Sequence, residues 1–185
     1  MRLLVTGGAG FIGSAFVRLA LAHGWACRLV NLDKLTYAGN LENVATVESD
    51  ARYRFVHGDI LDASLLRALF AEEGFDAVVH FAAESHVDRS ILGPAAFVET
   101  NVRGTFELLE AARAAGTPRF LLVSTDEVYG SIPEPHDAAE TDPLQPSSPY
   151  SASKAGADLL ALSYFTTFRF PVLVTRASNN YGPFQ

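Results

Sequence analysis

The chain has 185 residues, a formal net charge of −7 at pH 7 and a pI near 5.1, which argues against nucleic acid as a main partner because phosphate binding shows as a basic surface. Apolar residues make up 49% and charged residues 19%, a globular balance in a chain long enough for one well-buried domain. The single cysteine, Cys27, excludes an intrachain disulfide, fits a reducing compartment and, in an apolar run, reads as buried filler.

Met1-Arg2 leads straight into a strand and no apolar run reaches about 18 residues, so neither a secretory signal nor a membrane span is expected, and a cytoplasmic protein is. The first apolar run, Leu3-Leu4-Val5-Thr6, feeds a turn with glycines at 7, 10 and 13. Ile12, Phe16 and Leu19 then recur at helical spacing. Strand, glycine turn and helix make a dinucleotide cradle. Gly7 permits the tight turn, Gly10 lets a pyrophosphate approach the backbone, and Gly13 lets helix and strand pack closely. A glycine-rich structural turn is the weaker alternative.

Further strands are predicted near 27–32, 53–57, 76–81, 119–124 and 172–176, and helices near 11–23, 63–73, 94–115 and 149–168. Continuous apolar runs such as Phe120-Leu121-Leu122-Val123 belong to strands buried on both faces. The expected fold is therefore α/β, a doubly wound parallel sheet of the Rossmann type with helices on both faces, in the order 3-2-1-4-5-6. In the 94–115 helix, Val98, Val102, Phe106, Leu109 and Ala112 are expected to line one face. Residues 131–149, rich in proline, acid and serine, read as a surface loop.

Asp33 ends the second strand 20 residues beyond Gly13, where a carboxylate takes adenine ribose hydroxyls and favours NAD over NADP; a cap aspartate is the alternative. Lys34 follows it directly. Asp59 and Ile60, at the end of the third strand, suit an adenine amino group and ring, or simply a turn. Ala82 and Ala83 let the chain pass close to a cofactor. His80, Glu84, His86 and Asp88 invite a metal, but His80 falls in a buried strand and zinc-type clustering is missing, so no metal site is expected.

The fifth strand delivers Ser124, Thr125, Asp126 and Glu127 to the ligand edge, where hydroxyls and carboxylates face the cofactor crevice. Tyr150 and Lys154 are i and i+4 on the last helix and share a face. A nearby ammonium would lower the tyrosine from its ordinary value near 10 and make it a base for an alcohol proton. Adjacent acids can work on one substrate only where the strand gives way to loop; their pKa values should then split, one serving as acid and the other as base for loss of water. The alternative is that Asp126 and Glu127 only cap a loop.

Across 1–185 the sequence resembles the extended short-chain dehydrogenase/reductase family, and within it the sugar-nucleotide 4,6-dehydratases. The resemblance rests on Thr6-Gly7-Gly8-Ala9-Gly10-Phe11-Ile12-Gly13, on the Asp33–Asn40 and Ala82–Ser90 stretches, on Ser124-Thr125-Asp126-Glu127-Val128-Tyr129-Gly130, on Tyr150-Ser151-Ala152-Ser153-Lys154 and on Ser178-Asn179-Asn180-Tyr181-Gly182-Pro183. It implies dehydration of dTDP-glucose to the 4-keto-6-deoxy sugar nucleotide with NAD as a recycled cofactor. Tyr150 would take the 4-hydroxyl proton, Glu127 the C5 proton, and Asp126 would protonate the leaving 6-hydroxyl. It further assigns substrate contacts to Ser85, Thr125 and Asn179. Cofactor contacts fall to Phe11, Ile12, Asp33, Lys34, Leu35, Thr36, Asp59 and Ile60. To these it adds Phe81, Ala82, Ala83, Glu84, Ser85, Thr100, Tyr150, Lys154 and Asn180. Family members continue past the Asn-Asn-Tyr-Gly-Pro motif, so 1–185 is expected to be an NAD-binding domain lacking a C-terminal substrate-binding portion. A homodimer is expected through the helices at 94–115 and 149–168. The rival expectations are a 4-epimerase or decarboxylase on the same scaffold, or a non-catalytic NAD-binding protein.

Overall fold

Val78, Val79 and Phe120–Val123 have no polar side to show to water, so strands carrying them must be covered on both faces. A computed structural model describing residues 1–185 has six parallel strands in the order β3-β2-β1-β4-β5-β6, covered on both faces at the centre. The Val172-Leu173-Val174 run, expected to be buried on both faces as well, lies at the sheet edge with Leu173 69% exposed, because no helix covers that side of the last strand. In chain order these are β1 (Arg2–Thr6), β2 (Arg28–Asp33), β3 (Tyr53–His57), β4 (Ala77–His80), β5 (Phe120–Thr125) and β6 (Val172–Ala177). Between them lie α1 (Phe11–Ala22), α2 (Ala63–Glu73), α3 (Val87–Leu92), α4 (Pro94–Phe97), α5 (Thr105–Ala114) and α6 (Pro149–Phe168).

Strand parity sorts the core into two layers. Leu4, Val30, Val78 and Phe120 point to one face, where Leu66 and Phe70 of α2, Leu108 of α5 and Ala161 of α6 cover them. Leu3, Val5, Leu29 and Ala77 point to the other, against Val17, Ala20 and Leu21 of α1. Local sequence fixes the helix starts. Asp62 accepts from the Ser64 and Leu65 backbone N–H groups at 2.9 and 3.0 Å ahead of α2. Ser148 and Ser151 form a reciprocal capping box ahead of α6, with Pro149 in the first turn.

Three other expectations need correction. The single helix at 94–115 is interrupted: α4 passes into a π-helical stretch, Val98–Gly104, before α5. The wider turn inserts a residue and rotates the faces, so Val98 and Phe106 point to solvent at 53% and 40% exposure, while Leu109 and Ala112 stay buried. Two short elements also escape the sequence reading, α3 and a 3₁₀ stretch at Leu41–Val47 capped by Asn40. Cys27 is exposed, since it precedes β2 at the rim of the sheet, where Trp25 is exposed as well. No helix is long and apolar enough to cross a membrane.

Candidate active site

Between β1 and β4 the connections run to opposite sides, which opens a crevice at the carboxyl ends of the strands. A cavity of about 450 Å³ occupies it. Its floor is the turn from β1 into α1. Gly7 has φ +72°, and a Cβ there would lie 2.6 Å from the Ala82 backbone nitrogen. A Cβ on Gly13 would lie 2.2 Å from the Gly7 carbonyl oxygen. Both glycines are therefore required by close backbone approach. Gly10 instead faces comparatively open space, its nearest neighbour being the Gly7 oxygen at 3.3 Å. Gly7, Gly10, Phe11, Ile12 and Gly13 all line the cavity, at the free N–H end of α1.

Asp33 is buried beneath the rim of this cavity. Its carboxylate accepts from the Ala9 N–H at 2.9 Å and the Leu35 N–H at 2.8 Å, each on a different oxygen. Lys34 and Thr36 line the cavity and Leu35 does not; Leu35 takes φ 54° in the turn that follows β2. Asp59 lines it while paired with Lys34 at 2.6 Å and accepting from the Leu61 N–H. Ile60 fits against Gly104 of the π stretch, where a Cβ would meet its Cδ1 at 2.5 Å. That packing brings Thr100 to the wall. Phe81, Ala82, Ala83, Glu84 and Ser85 complete the lining beyond β4. Asn101 holds this stretch in place, accepting from the Glu84 N–H at 2.8 Å and donating to the Glu84 carbonyl at 2.9 Å.

His80 has no free nitrogen for a metal. Thr105 gives its hydroxyl proton to the Asn101 carbonyl at 2.6 Å, so it accepts from His80 Nε2 at 3.0 Å. The ring is then an acceptor at Nδ1, where the Thr6 hydroxyl donates at 2.7 Å. Burial pushes His80 down to about 3, which keeps it neutral.

Thr125 ends β5 and caps a 3₁₀ turn, Asp126–Tyr129, accepting from the Glu127 N–H at 3.2 Å. The strand has given way at the acid pair, and about 120° per residue lets both carboxyls face one side. They line a second cavity of about 350 Å³ together with Gly130, Ile132, His136, Asp137 and Ala138. Burial, then the Asp126 charge, raises Glu127 above the ordinary carboxylate range.

Tyr150 and Lys154, both buried, reach the first cavity from α6. The ammonium of Lys154 donates to the Val123 carbonyl at 2.8 Å, and burial lowers it to about 8. Tyr150 is pushed up to about 12, first by burial and then by the Glu127 charge, with the Thr125 hydroxyl pulling the other way. This reverses the lowering expected from the sequence: Lys154 is turned toward a strand carbonyl, and burial lifts the phenol, with the two carboxylates adding to it. Tyr150 lines the first cavity and the two acids the second, so the three are not brought into one lining.

Ser124, expected at the ligand edge but given no role there, is 7% exposed, lines the first cavity, and its hydroxyl has no partner in the protein. Asn179 and Asn180 line neither cavity; both are exposed, and the Asn180 amide donates to the Ser178 carbonyl at 3.1 Å.

Residues 4–185 match the family model described as GDP-mannose 4,6 dehydratase. The chain is 52% identical over 203 residues to the dTDP-glucose 4,6-dehydratase of Shigella flexneri, covering 100% of this chain and 56% of that protein. Among solved structures it superposes on the dTDP-glucose 4,6-dehydratase of Streptomyces venezuelae, crystallised with NAD and TYD bound, at TM-score 0.96 and 58% identity, over 100% of this chain and 58% of the other. The UDP-glucose 4-epimerase of Thermus thermophilus, in complex with NAD, matches at TM-score 0.91 and 37% identity, over 100% and 57% of the two chains.

Proposed function

This chain belongs to the GDP-mannose 4,6 dehydratase family, and from that premise we propose that it is the cofactor-binding and catalytic part of an NAD-dependent dTDP-glucose 4,6-dehydratase. It spans 56% of the length of the Shigella flexneri relative, so the proposal concerns the whole protein, with a substrate-binding portion following these residues.

The residues around the first cavity fit NAD. Its volume falls within the range of about 300–1,000 Å³ usual for ligand sites. The N-terminus of α1 suits a pyrophosphate, Asp33 a ribose diol, and the unsatisfied Ser124 hydroxyl a carboxamide. NAD bound there supplies a hydride acceptor and, later in the same turnover, a hydride donor. Tyr150, which burial keeps protonated, must first give up its own proton, as the positive charge of a bound oxidised nicotinamide and of Lys154 would favour; as the phenolate it accepts the proton of the sugar 4-hydroxyl as C4 becomes a ketone, with Thr125 beside it. Lys154 holds positive charge behind the phenol and steadies the end of β5. The ketone acidifies C5–H. Glu127, ionised at this step, takes that proton, and Asp126, entering the step protonated, delivers its own to the departing 6-hydroxyl, which leaves as water. Ser85 and Asn179 are assigned to the substrate, Leu35 and Asn180 to the cofactor; movement of the exposed 178–182 stretch is needed for the last two asparagines to reach their ligands.

The observation that carries this reading is the 3₁₀ turn just beyond β5, whose Asp126 and Glu127 line one cavity together. Epimerisation needs no such pair. The site and the relatives support a cytoplasmic biosynthetic enzyme acting on a nucleotide sugar, with no role for nucleic acid or membrane. Exposed apolar side chains at Leu159, Leu162 and Phe165, three residues apart along α6, together with Val98 and Phe106, support a homodimer. The test is incubation of the full-length protein with NAD and dTDP-glucose. A 4-keto-6-deoxy product is expected, Tyr150→Phe should abolish its formation while sparing NAD binding, and a 4-epimer as sole product would refute the proposal.

A further inference from the structure

Asp158 and Arg176 have no part in the chemistry above, yet they form a nearly dry ion pair. Arg176 Nε meets Asp158 Oδ2 at 2.8 Å, with the carboxylate fully buried and the guanidinium side chain 12% exposed. Burying such a pair is costly and seldom stabilises by itself, so its use is to be sought in what else it holds. Arg176 lies on β6 opposite Ser124 of β5. Its Nη1 donates to the Tyr129 hydroxyl at 2.6 Å, and the guanidinium carbon stands 5.0 Å from the centre of the Tyr129 ring. Tyr129 is the last residue of the turn that carries Asp126 and Glu127.

That turn is short and weakly held. Its first N–H bonds are the Thr125 cap at 3.2 Å and a closing bond from the Gly130 N–H to the Glu127 carbonyl at 3.1 Å. A four-residue 3₁₀ turn does not fix its own orientation. Val128 and Tyr129 are buried against Ala155 of α6, and the Gln145 N–H donates to the Val128 carbonyl at 2.9 Å. The Tyr129–Arg176–Asp158 line then fastens the far end to both β6 and α6. Asp158 is also four residues from Lys154 on α6, and its charge favours that ammonium.

We propose that Asp158 and Arg176 are positioning residues that, through the Tyr129 hydroxyl, set the orientation of Asp126 and Glu127 for the loss of water, separately from the oxidation at C4. The inference rests on the dehydratase reading.

Tyr129→Phe in the full-length protein removes the gripped hydroxyl and leaves the ion pair intact. Single-turnover absorbance in the NADH band and product analysis resolve the two steps. C4 oxidation is expected within twofold of wild type and dehydration at least tenfold slower, because small misplacements of acid and base groups are costly. Peptide-resolved amide exchange in the absence of substrate should speed up across 126–130 and not across β1 and α1. Arg176→Lys keeps a charge on Asp158 but not the fork that reaches Tyr129. It should produce the same split, and the double variant should be no slower than the slower single. Dehydration within twofold of wild type, an equal loss in both steps, additive losses, or unchanged exchange at 126–130 would overturn the inference. A wild type that forms only a 4-epimer would overturn the dehydratase reading first, before any variant is compared.

Discussion

Replacing Gly13 by alanine sets two known effects against each other. Within a helix, alanine is favoured over glycine by about 1 kcal/mol, so α1 alone would gain. The added methyl, however, would stand 2.2 Å from the Gly7 oxygen and 2.9 Å from both the Gly7 carbonyl carbon and the Gly8 Cα. All three are backbone atoms, and none can rotate aside. Overpacking against fixed atoms costs about 1–3 kcal/mol, and this contact belongs at the upper end. The net expectation is a loss of about 2 kcal/mol, or a Tm lower by about 4–8 °C for a domain of this size. Gly10→Ala is the control. Its methyl meets only the Gly7 oxygen at 3.3 Å and the Ala38 oxygen at 3.8 Å, and its φ of −76° suits any residue. Its Tm should stay within about 3 °C of wild type, as a helix-cap change of under 1 kcal/mol implies. NAD binding should weaken at least tenfold, because the methyl enters the cavity. Thermal unfolding of the ligand-free full-length variants, followed by calorimetric NAD titration, separates these outcomes. A Gly13→Ala protein that melts at or above the wild-type temperature, or a Gly10→Ala protein that loses more stability than Gly13→Ala, would refute the reasoning.

Glu127→Gln should slow loss of the C5 proton more than oxidation at C4, so that NADH builds up during turnover; stopped-flow absorbance without a transient would count against Glu127 as the base. His80 titrates near 6.5 when unfolded and near 3 when folded, so its neutral form adds stability above pH 6.5 that is lost as pH falls toward 3. The stability advantage of wild type over His80→Gln, measured by urea unfolding, should shrink by up to about 5 kcal/mol across that window at about 1.4 kcal/mol per pH unit, and a constant advantage would refute it. Lys154 is lowered to about 8 from 10.5, so wild type should gain on Lys154→Met as pH rises from about 8 to 10.5, the range in which the unfolded chain holds the proton and the folded one releases it. A gap between the two proteins that stays flat over that range would mean the ammonium is not desolvated.

Sheet order and strand limits were legible in the sequence because apolar runs of four to six residues must be covered on both faces, whatever lies elsewhere in the chain. β2, expected at 27–32 and found at Arg28–Asp33, is off by one residue at each end. The cradle was legible for a different reason: Gly13 answers to Gly7 and Gly8, close to it in sequence, and the spacing of the three glycines marks the turn even though the close neighbour of Gly7, Ala82, lies far along the chain. The π stretch was not, because it is imposed from a distance. Ile60 presses on Gly104, and Asn101 reaches across to grip Glu84, neither of which leaves a local signature. The same limit applied to Tyr150. Spacing puts Lys154 on its face of α6 but says nothing of Val123, whose carbonyl holds the ammonium, or of the burial that lifts the phenol.

Asp126 and Glu127 lie outside the strand and outside the lining of the first cavity. A substitution at either position disturbs no layer of the sheet and no wall of the first cavity. On the dehydratase reading, the cofactor floor and the groups that expel a hydroxyl are thus separable pieces of chain, one drawn from the ends of several strands, the other confined to a pair of neighbours. Mutational drift can exchange the second without rebuilding the first, which makes this corner of the molecule the place where a change of reaction costs the fold least.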